Sequence, residues 1–190
     1  MCVDSRRLFS FVEAQINDIV GIGAGEISRQ SALTLHDKLD CISKVMRQYG
    51  FTVDCSSTYD SFNNSLHHLL THNIGLPITL AILYVIECRK LYINAQGCII
   101  PGHFLVNVNC DIDERIYIDC YNDYRQLTNI LVLSLMNQDI YAVTLNALKL
   151  LNNTSIKTIL IGCYSNVVDS VKYRIATYYH KQSQPTQTMS

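Results

Sequence analysis

Apolar residues recur at the spacing of an α-helix through the first fifty residues of the chain. Over residues 6–19 this period predicts a first helix, and the glycine-rich segment 21–25 is expected to end it. The same period over residues 28–49 predicts a second helix, broken near Leu35 and followed by Gly50 as a C-terminal glycine.

The next segment changes from polar loop to buried helix. Residues 51–64 are polar and rich in turn formers, so they predict a loop. A short helix is expected over residues 65–73, and Gly75 interrupts the pattern after it. Pro77 suits the first turn of a helix, and residues 78–91 are apolar on nearly all sides. We therefore expect a buried central helix that begins at this proline.

Residues 95–123 alternate between apolar and polar positions in the manner of β-strands. Phe104, Val106 and Val108 share one face, and an acidic turn at residues 111–115 leads into a second alternating run. This pattern predicts an antiparallel hairpin.

Helices are expected again over residues 129–151 and 155–179. Because helices and strands occur in separate runs, the fold class predicted is α+β. The predicted divisions are an N-terminal helical part (1–50), a core (51–128), a C-terminal helical extension (129–180) and a disordered tail (181–190).

Composition and charge exclude some function classes. Fifteen basic and sixteen acidic residues give a net charge of -1. No run of basic residues is long enough to bind along a phosphate backbone, so nucleic acid is not an expected partner. A signal peptide would require a continuous apolar stretch, which Glu13 and Asp18 interrupt. No apolar run is long enough to predict a membrane span. We expect a cytoplasmic protein with no membrane partner.

Eight cysteines raise the alternatives of disulfides, a metal site or free thiols. A non-exported chain of this length can form a core without cross-links, so reduced thiols are expected. Cys98 with His103, Cys110 with Cys120, and the helical pair His68 and His72 give only weak metal-ligand spacing. Partly solvated histidines are the more common case for the set His67, His68 and His72, so no metal and no cofactor are expected.

His103 and Asp119 suggest two members of a catalytic triad. Cysteine-protease chemistry needs a thiolate at a helix N-terminus, a histidine on a strand and an Asp or Asn that orients it. The two residues lie on predicted adjacent strands, and a turn near Ile112 would make them cross-strand neighbours within hydrogen-bond reach. The alternative is a structural histidine that merely ties the hairpin to the central helix.

Three motifs carry a resemblance to a known family: "GLPITL" at 75–80, "PGHF" at 101–104 and "IDCYN" at 118–122. The sequence resembles the transglutaminase-like family of the bacterial Sir-B type, which also includes a segment of an F-box protein. The resemblance spans residues 38–135, and Cys120 stands where the family usually has proline. It implies a transglutaminase-like core of the papain-type cysteine-protease class.

The resemblance also implies site residues. Gly75 corresponds to the glycine before the nucleophile, Ala81 to a small helix residue, His103 to the histidine and Asp119 to the aspartate. By the same spacing the nucleophilic cysteine position falls on Pro77, which has no reactive atom.

Three residues could replace the nucleophile. Thr79 has an unactivated hydroxyl, for which a structural role is favoured. Cys98 comes five residues before His103, on the segment that leads into the same strand. Cys120 adjoins Asp119 and is therefore expected to point to the opposite face of the strand from it. Burial as a small hydrophobic residue is the favoured reading of Cys98.

The sequence therefore predicts a non-catalytic transglutaminase-like protein that acts as an interaction or regulatory module. Its partner is expected to be a protein or peptide, held in a cleft formed by Gly75, Pro77, Thr79, Cys98 and Asn122 beside the remnant pair His103 and Asp119. The alternative is a cysteine-dependent hydrolase or acyltransferase that uses Cys98 with His103 and Asp119. The resemblance also implies that the C-terminal helices begin a degenerate tetratricopeptide-like region.

Overall fold

A four-stranded sheet follows the first four helices in one run, with two short strands lying among those helices, and this mixed architecture agrees with the predicted α+β class. The computed structural model describes residues 5–53, 64–100, 103–110, 115–135 and 172. Within these ranges the helices are α1 (Ser5–Ser28), α2 (Leu35–Gln48), α3 (Leu66–His72), α4 (Pro77–Lys90) and α5 (Asn129–Leu135). The strands are β1 (Thr52–Val53), β2 (Ile74–Gly75), β3 (Ala95–Ile100), β4 (His103–Asn109), β5 (Arg115–Asp119) and β6 (Arg125–Leu127).

The larger sheet is an antiparallel meander in the order β3-β4-β5-β6. In β4 and β5, Val106 is paired with Ile118 and Val108 with Ile116, so the predicted hairpin is confirmed. A small parallel pair, β1 and β2, precedes it in the chain and joins Thr52 to Ile74. The loop predicted over residues 51–64 therefore begins with a short strand, and its residues 54–63 lie outside the described residues.

Helix α4 is the central buried helix that the apolar pattern predicts. It packs on β3 and β4 on one side and contacts α1, α2 and α3 elsewhere. Phe104, Val106 and Val108 alternate along β4 and so share the face of the sheet that packs on α4. They belong to the same core cluster as the α4 side chains. Leu105 belongs instead to a second cluster on the opposite face of the sheet. The sheet therefore has two apolar faces, and α4 covers one of them.

Helix α1 continues through the glycine-rich segment 21–25, so the predicted end of this helix is wrong. The physical reason lies in tertiary packing. A Cβ at Gly23 would lie 2.8 Å from Oε1 of Glu87 and 3.4 Å from Cδ1 of Leu91, whereas a Cβ at Gly21 would meet nothing within 4 Å. Gly23 thus lets the backbone of α1 approach α4 closely, and the helix tolerates it in its interior.

Helix α2 begins where the sequence predicts a break. Thr34 is its N-cap, with a capping box in which the Thr34 side chain accepts from the Asp37 backbone N–H. Gly50 follows the helix with φ of 73°, a left-handed conformation that favours glycine, as predicted.

Several predictions fall outside the described residues. The helix predicted over residues 129–151 begins as α5, but its part beyond Leu135 is not described. The helix predicted over 155–179 and the tail 181–190 also lie outside, apart from residue 172. The predicted domain boundaries and the tetratricopeptide-like start remain predictions.

Candidate functional site

The first turn of α4 contains no nucleophilic cysteine. Pro77 occupies the first helical position, and the N-cap Leu76 gives no side-chain capping bond. Thr79 is almost fully buried, and its hydroxyl donates to the Leu76 carbonyl at 2.8 Å. A Cβ at Gly75 would lie 2.7 Å from Thr79 Oγ1, so glycine here lets the chain pass against the helix start. Gly75, Pro77 and Thr79 therefore lie together at the start of α4, where the Thr79 hydroxyl donates to the backbone, and their role in a binding cleft stays a prediction.

His103 is the first residue of β4 and is half-buried. It pairs with Ile100 across β3. Strand alternation places His103 on the face of the sheet that it shares with Leu105, whereas Phe104 belongs to the cluster packed on α4.

Asp119 is fully buried and is held by two neighbours in its own turn. Its Oδ2 accepts from Arg125 Nε at 3.2 Å, from Arg125 Nη2 at 3.0 Å and from Asn122 Nδ2 at 2.7 Å. Its Oδ1 accepts from the Asn122 backbone N–H at 3.2 Å. Both carboxylate oxygens of Asp119 are therefore engaged by Arg125 and Asn122.

The predicted hydrogen bond between His103 and Asp119 is wrong, since no such bond joins these two described residues. The register explains the error. Val106 is paired with Ile118, and continuing this register places Leu105, not His103, opposite Asp119. His103 is then only a diagonal neighbour, at a typical separation of roughly 7–8 Å. Any catalytic role of the two residues stays a prediction.

The turn that carries Asp119 is braced against the rest of the fold. Asp123 and Tyr124 both adopt left-handed φ, at 57° and 56°. The Arg47 guanidinium donates to Asp123 Oδ2 at 3.1 Å and to the Asp123 carbonyl at 3.0 Å. The Tyr124 hydroxyl donates to the Phe51 carbonyl at 2.8 Å. These contacts fix the geometry in which Arg125 reaches Asp119.

Cys98 does not join the other predicted cleft residues at the start of α4. It is fully buried opposite Leu105, in the cluster on the sheet face away from α4. Burial raises the pKa of the Cys98 thiol to about 12. A thiol in this environment supplies almost no thiolate at neutral pH, which weakens the relocated-thiol alternative.

Three other described cysteines also lack the environment of a reactive thiol. Burial is the main cause that raises the pKa of the thiols of Cys41, Cys88 and Cys120. Cys41, Cys88, Cys98 and Cys120 are free thiols, and Cys110 is half-buried. Cys2, Cys55 and Cys163 lie outside the described residues.

Two further features of the described residues bear on partners. The rings of His68 and His72 have centroids 4.5 Å apart, but no group of three potential metal ligands occurs within the described ranges. Among the helices that the structure describes, none is both long and apolar enough to cross a membrane.

Arg125 is the site residue that sequence reasoning missed. The structure pairs it directly with Asp119 across the β5–β6 turn. The available signal was an acidic and a basic residue at the two ends of a short polar turn, where cross-strand opposite charges stabilise a hairpin.

Comparison with known proteins identifies the family. Residues 12–161, most of the chain, match the sequence profile of the transglutaminase-like superfamily. The chain belongs to the transglutaminase-like superfamily. Its similar relatives include F-box only protein 21 of Mus musculus, 32% identical over 114 residues, which are 55% of this chain and 18% of that protein. The Homo sapiens F-box only protein 21 is 30% identical over the same length and the same shares.

A bacterial relative gives a shorter match to this transglutaminase-like chain. The UPF0162 protein of Xylella fastidiosa strain Temecula1 is 31% identical over 83 residues, which are 44% of this chain and 29% of that protein. The chain thus covers less than a third of each of these relatives. No solved structure is significantly similar to it.

Proposed function

We propose that this chain is a non-catalytic member of the transglutaminase-like superfamily, of the Sir-B type and with a papain-type core, that acts in the cytoplasm as an interaction or regulatory module. Its partner is a protein or peptide bound at the cleft around the start of α4. The first turn of α4 carries this proposal, because Pro77 stands at its first position. In a papain-type core a cysteine there gains its reactivity from the helix N-terminus, and proline provides no reacting atom.

The environment of Asp119 supports the same conclusion. In a triad the carboxylate accepts the N–H of the catalytic histidine and so fixes its orientation. Here the groups that donate to the buried carboxylate are instead the guanidinium of Arg125 and the amide of Asn122. Asp119 therefore stabilises its own turn, and His103 lacks the partner that would hold it ready for proton transfer.

Thiol labelling tests the absence of a nucleophile. We expect iodoacetamide near pH 6 to label no thiol of the native protein faster than free cysteine, because a fast reaction requires a lowered thiol pKa. Pro77→Cys should add one fast label, since its thiol would lie at a helix N-terminus. The matched control is Tyr92→Cys, because Tyr92 is 98% exposed and follows the other end of the same helix. A fast-reacting native thiol would contradict the proposal and would identify the nucleophile.

The same two variants test the interaction role. A thiol-directed cross-linker on Pro77→Cys should capture a defined protein in lysate of the native cells, and the same cross-linker on Tyr92→Cys should not. Capture of the same proteins from both positions, or of none, would contradict binding at the start of α4. The labelling result stands apart from this outcome, so the two halves of the proposal can fail separately.

A further inference from the structure

Glu87 is a buried carboxyl group at the contact between α4 and α1. Its side chain is 0% exposed, and neither carboxylate oxygen has a hydrogen-bond partner among the described residues. Its Oε1 lies where a Cβ on Gly23 of α1 would come within 2.8 Å. The carboxyl group is thus enclosed against the α1 backbone, and the absence of a side chain at Gly23 makes room for it.

Among the described residues, no cation compensates this carboxyl group. The titratable groups that interact with it electrostatically carry no positive charge: Tyr49 after α2, Tyr84 and Cys88 of α4 itself, and Tyr124 of the β5–β6 turn. From α1, the charge of Asp18 also acts on the Tyr49 phenol. Any negative charge on Glu87 would therefore be both desolvated and unpaired.

The nearby bases of α4 and α2 are committed elsewhere. Lys90 donates to Asn17 of α1 at 2.8 Å, and Arg89 donates to the Ala95 carbonyl at 2.9 Å. On α2, Lys44 and Arg47 form ion pairs with other carboxylates. The remaining elements on α4 present uncharged side chains to the shared core: Val53 of β1, Leu66, Leu69 and Leu70 of α3, Ala95 of β3, and Phe104, Val106 and Val108 of β4.

Burial therefore favours the neutral acid. It raises the pKa of Glu87 from its ordinary value of 4.5 to about 8 while α1 lies on α4. If α1 moved away, water would reach the carboxyl group and its ordinary acidity would return. The two arrangements of α1 thus differ in proton affinity.

We propose that Glu87 makes the docking of α1 on α4 sensitive to pH, so that α1 is held while the carboxyl group is protonated and is released more readily once it ionises. Release uncovers Ile16 and Ile19 of α1, which are buried in the core cluster. It also exposes the face of α4 that α1 covers, so proton concentration controls access to this surface.

The sign and size follow from proton linkage. An acid with a raised pKa in the docked state stabilises that state fully below its ordinary pKa of 4.5, and this contribution is lost as pH rises through about 8. Between these limits the equilibrium constant for opening α1 should increase about tenfold per pH unit. The whole range corresponds to a factor of about 3 × 10³, and the increase should level off above it.

Hydrogen exchange on the full chain tests this inference. Protection factors for the amides of α1, corrected for the intrinsic exchange rate, should fall about tenfold per pH unit from about pH 5.5 to about pH 8. The matched control is Glu87→Gln, which has the same shape and does not titrate, so its α1 protection should stay constant. Glu87→Leu serves as a second non-titrating variant in case the buried amide prevents folding.

The amides of β4 and β5 provide the internal reference. Global unfolding also exposes Glu87, so in the wild type the protection of these strands should fall with the same pH slope but should exceed that of α1 at every pH. A wild-type α1 protection that is independent of pH would overturn the inference. So would an equal pH dependence in wild type and Glu87→Gln, or equal protection of α1 and the sheet at every pH, which would show that α1 exchanges only through global unfolding.

Discussion

Replacing Gly23 with alanine should destabilise the protein, although the same change at Gly21 should stabilise it. Both glycines lie in the interior of α1. An alanine Cβ at position 21 would meet nothing within 4 Å, whereas one at position 23 would lie 2.8 Å from Glu87 Oε1 and 3.4 Å from Leu91 Cδ1. The two substitutions therefore share their effect on the helix and differ in their contact with α4.

The magnitudes follow from these two effects. Glycine to alanine in a helix interior is worth about 0.5–1 kcal/mol, and this is the expected gain for Gly21→Ala. At position 23 the fully buried Glu87 side chain must shift in a packed interior, and overpacking typically costs about 1–3 kcal/mol. Gly23→Ala should therefore lower the free energy of unfolding by up to about 2 kcal/mol.

Urea denaturation near pH 6, followed by circular dichroism, measures both changes. The pH lies below the raised pKa of about 8, so Glu87 is protonated in the folded protein. The decisive control is Glu87→Ala, which removes the clashing oxygen. In that background Gly23→Ala should become stabilising, like Gly21→Ala, and the double-mutant cycle should show a coupling of about 1–3 kcal/mol. Equal effects of Gly21→Ala and Gly23→Ala in the native background would refute the close approach of α1 to Glu87.

Two further predictions concern the candidate site. Arg125→Ala should lower the free energy of unfolding by about 1–3 kcal/mol in urea denaturation, because it leaves the buried Asp119 without its cation, whereas His103→Ala should cost less than about 1 kcal/mol. A larger loss from His103→Ala than from Arg125→Ala would contradict the observed partners of Asp119. Cys98, with its thiol pKa raised to about 12, should be alkylated in the native protein about 10³-fold more slowly than an exposed thiol, as followed by mass spectrometry of its peptide.

The elements that repeat a local pattern were predictable from the sequence. The alternation of Phe104, Val106 and Val108 identifies the face of β4 that packs on α4, because side chains of a strand point to the two faces in turn. The start of α4 at Pro77 was also predictable, since proline lacks only an N–H that the first turn leaves unpaired. Both features depend on residues close together in the chain.

The predictions that were wrong concern features that depend on tertiary contacts. Alternation assigns His103 and Asp119 to a face but does not fix which residues are opposite each other, so the predicted pair was two residues out of register. The partner of Asp119 is Arg125, which lies on the next strand after the turn and donates to its carboxylate. The glycine-rich segment of α1 predicts a helix end, yet the helix continues through it to Ser28, with Gly23 packed closely on α4.

The partners of Asp119 also determine what a restored nucleophile could do. A cysteine at position 77 would gain reactivity from the α4 N-terminus alone, because this effect needs no third residue. Turnover needs more, since a histidine must take up and return a proton in a fixed orientation. Asp119 is held by Arg125 and Asn122 in its own turn, and no hydrogen bond joins it to His103, so it does not orient that ring. Pro77→Cys should therefore produce a reactive thiol without a working triad.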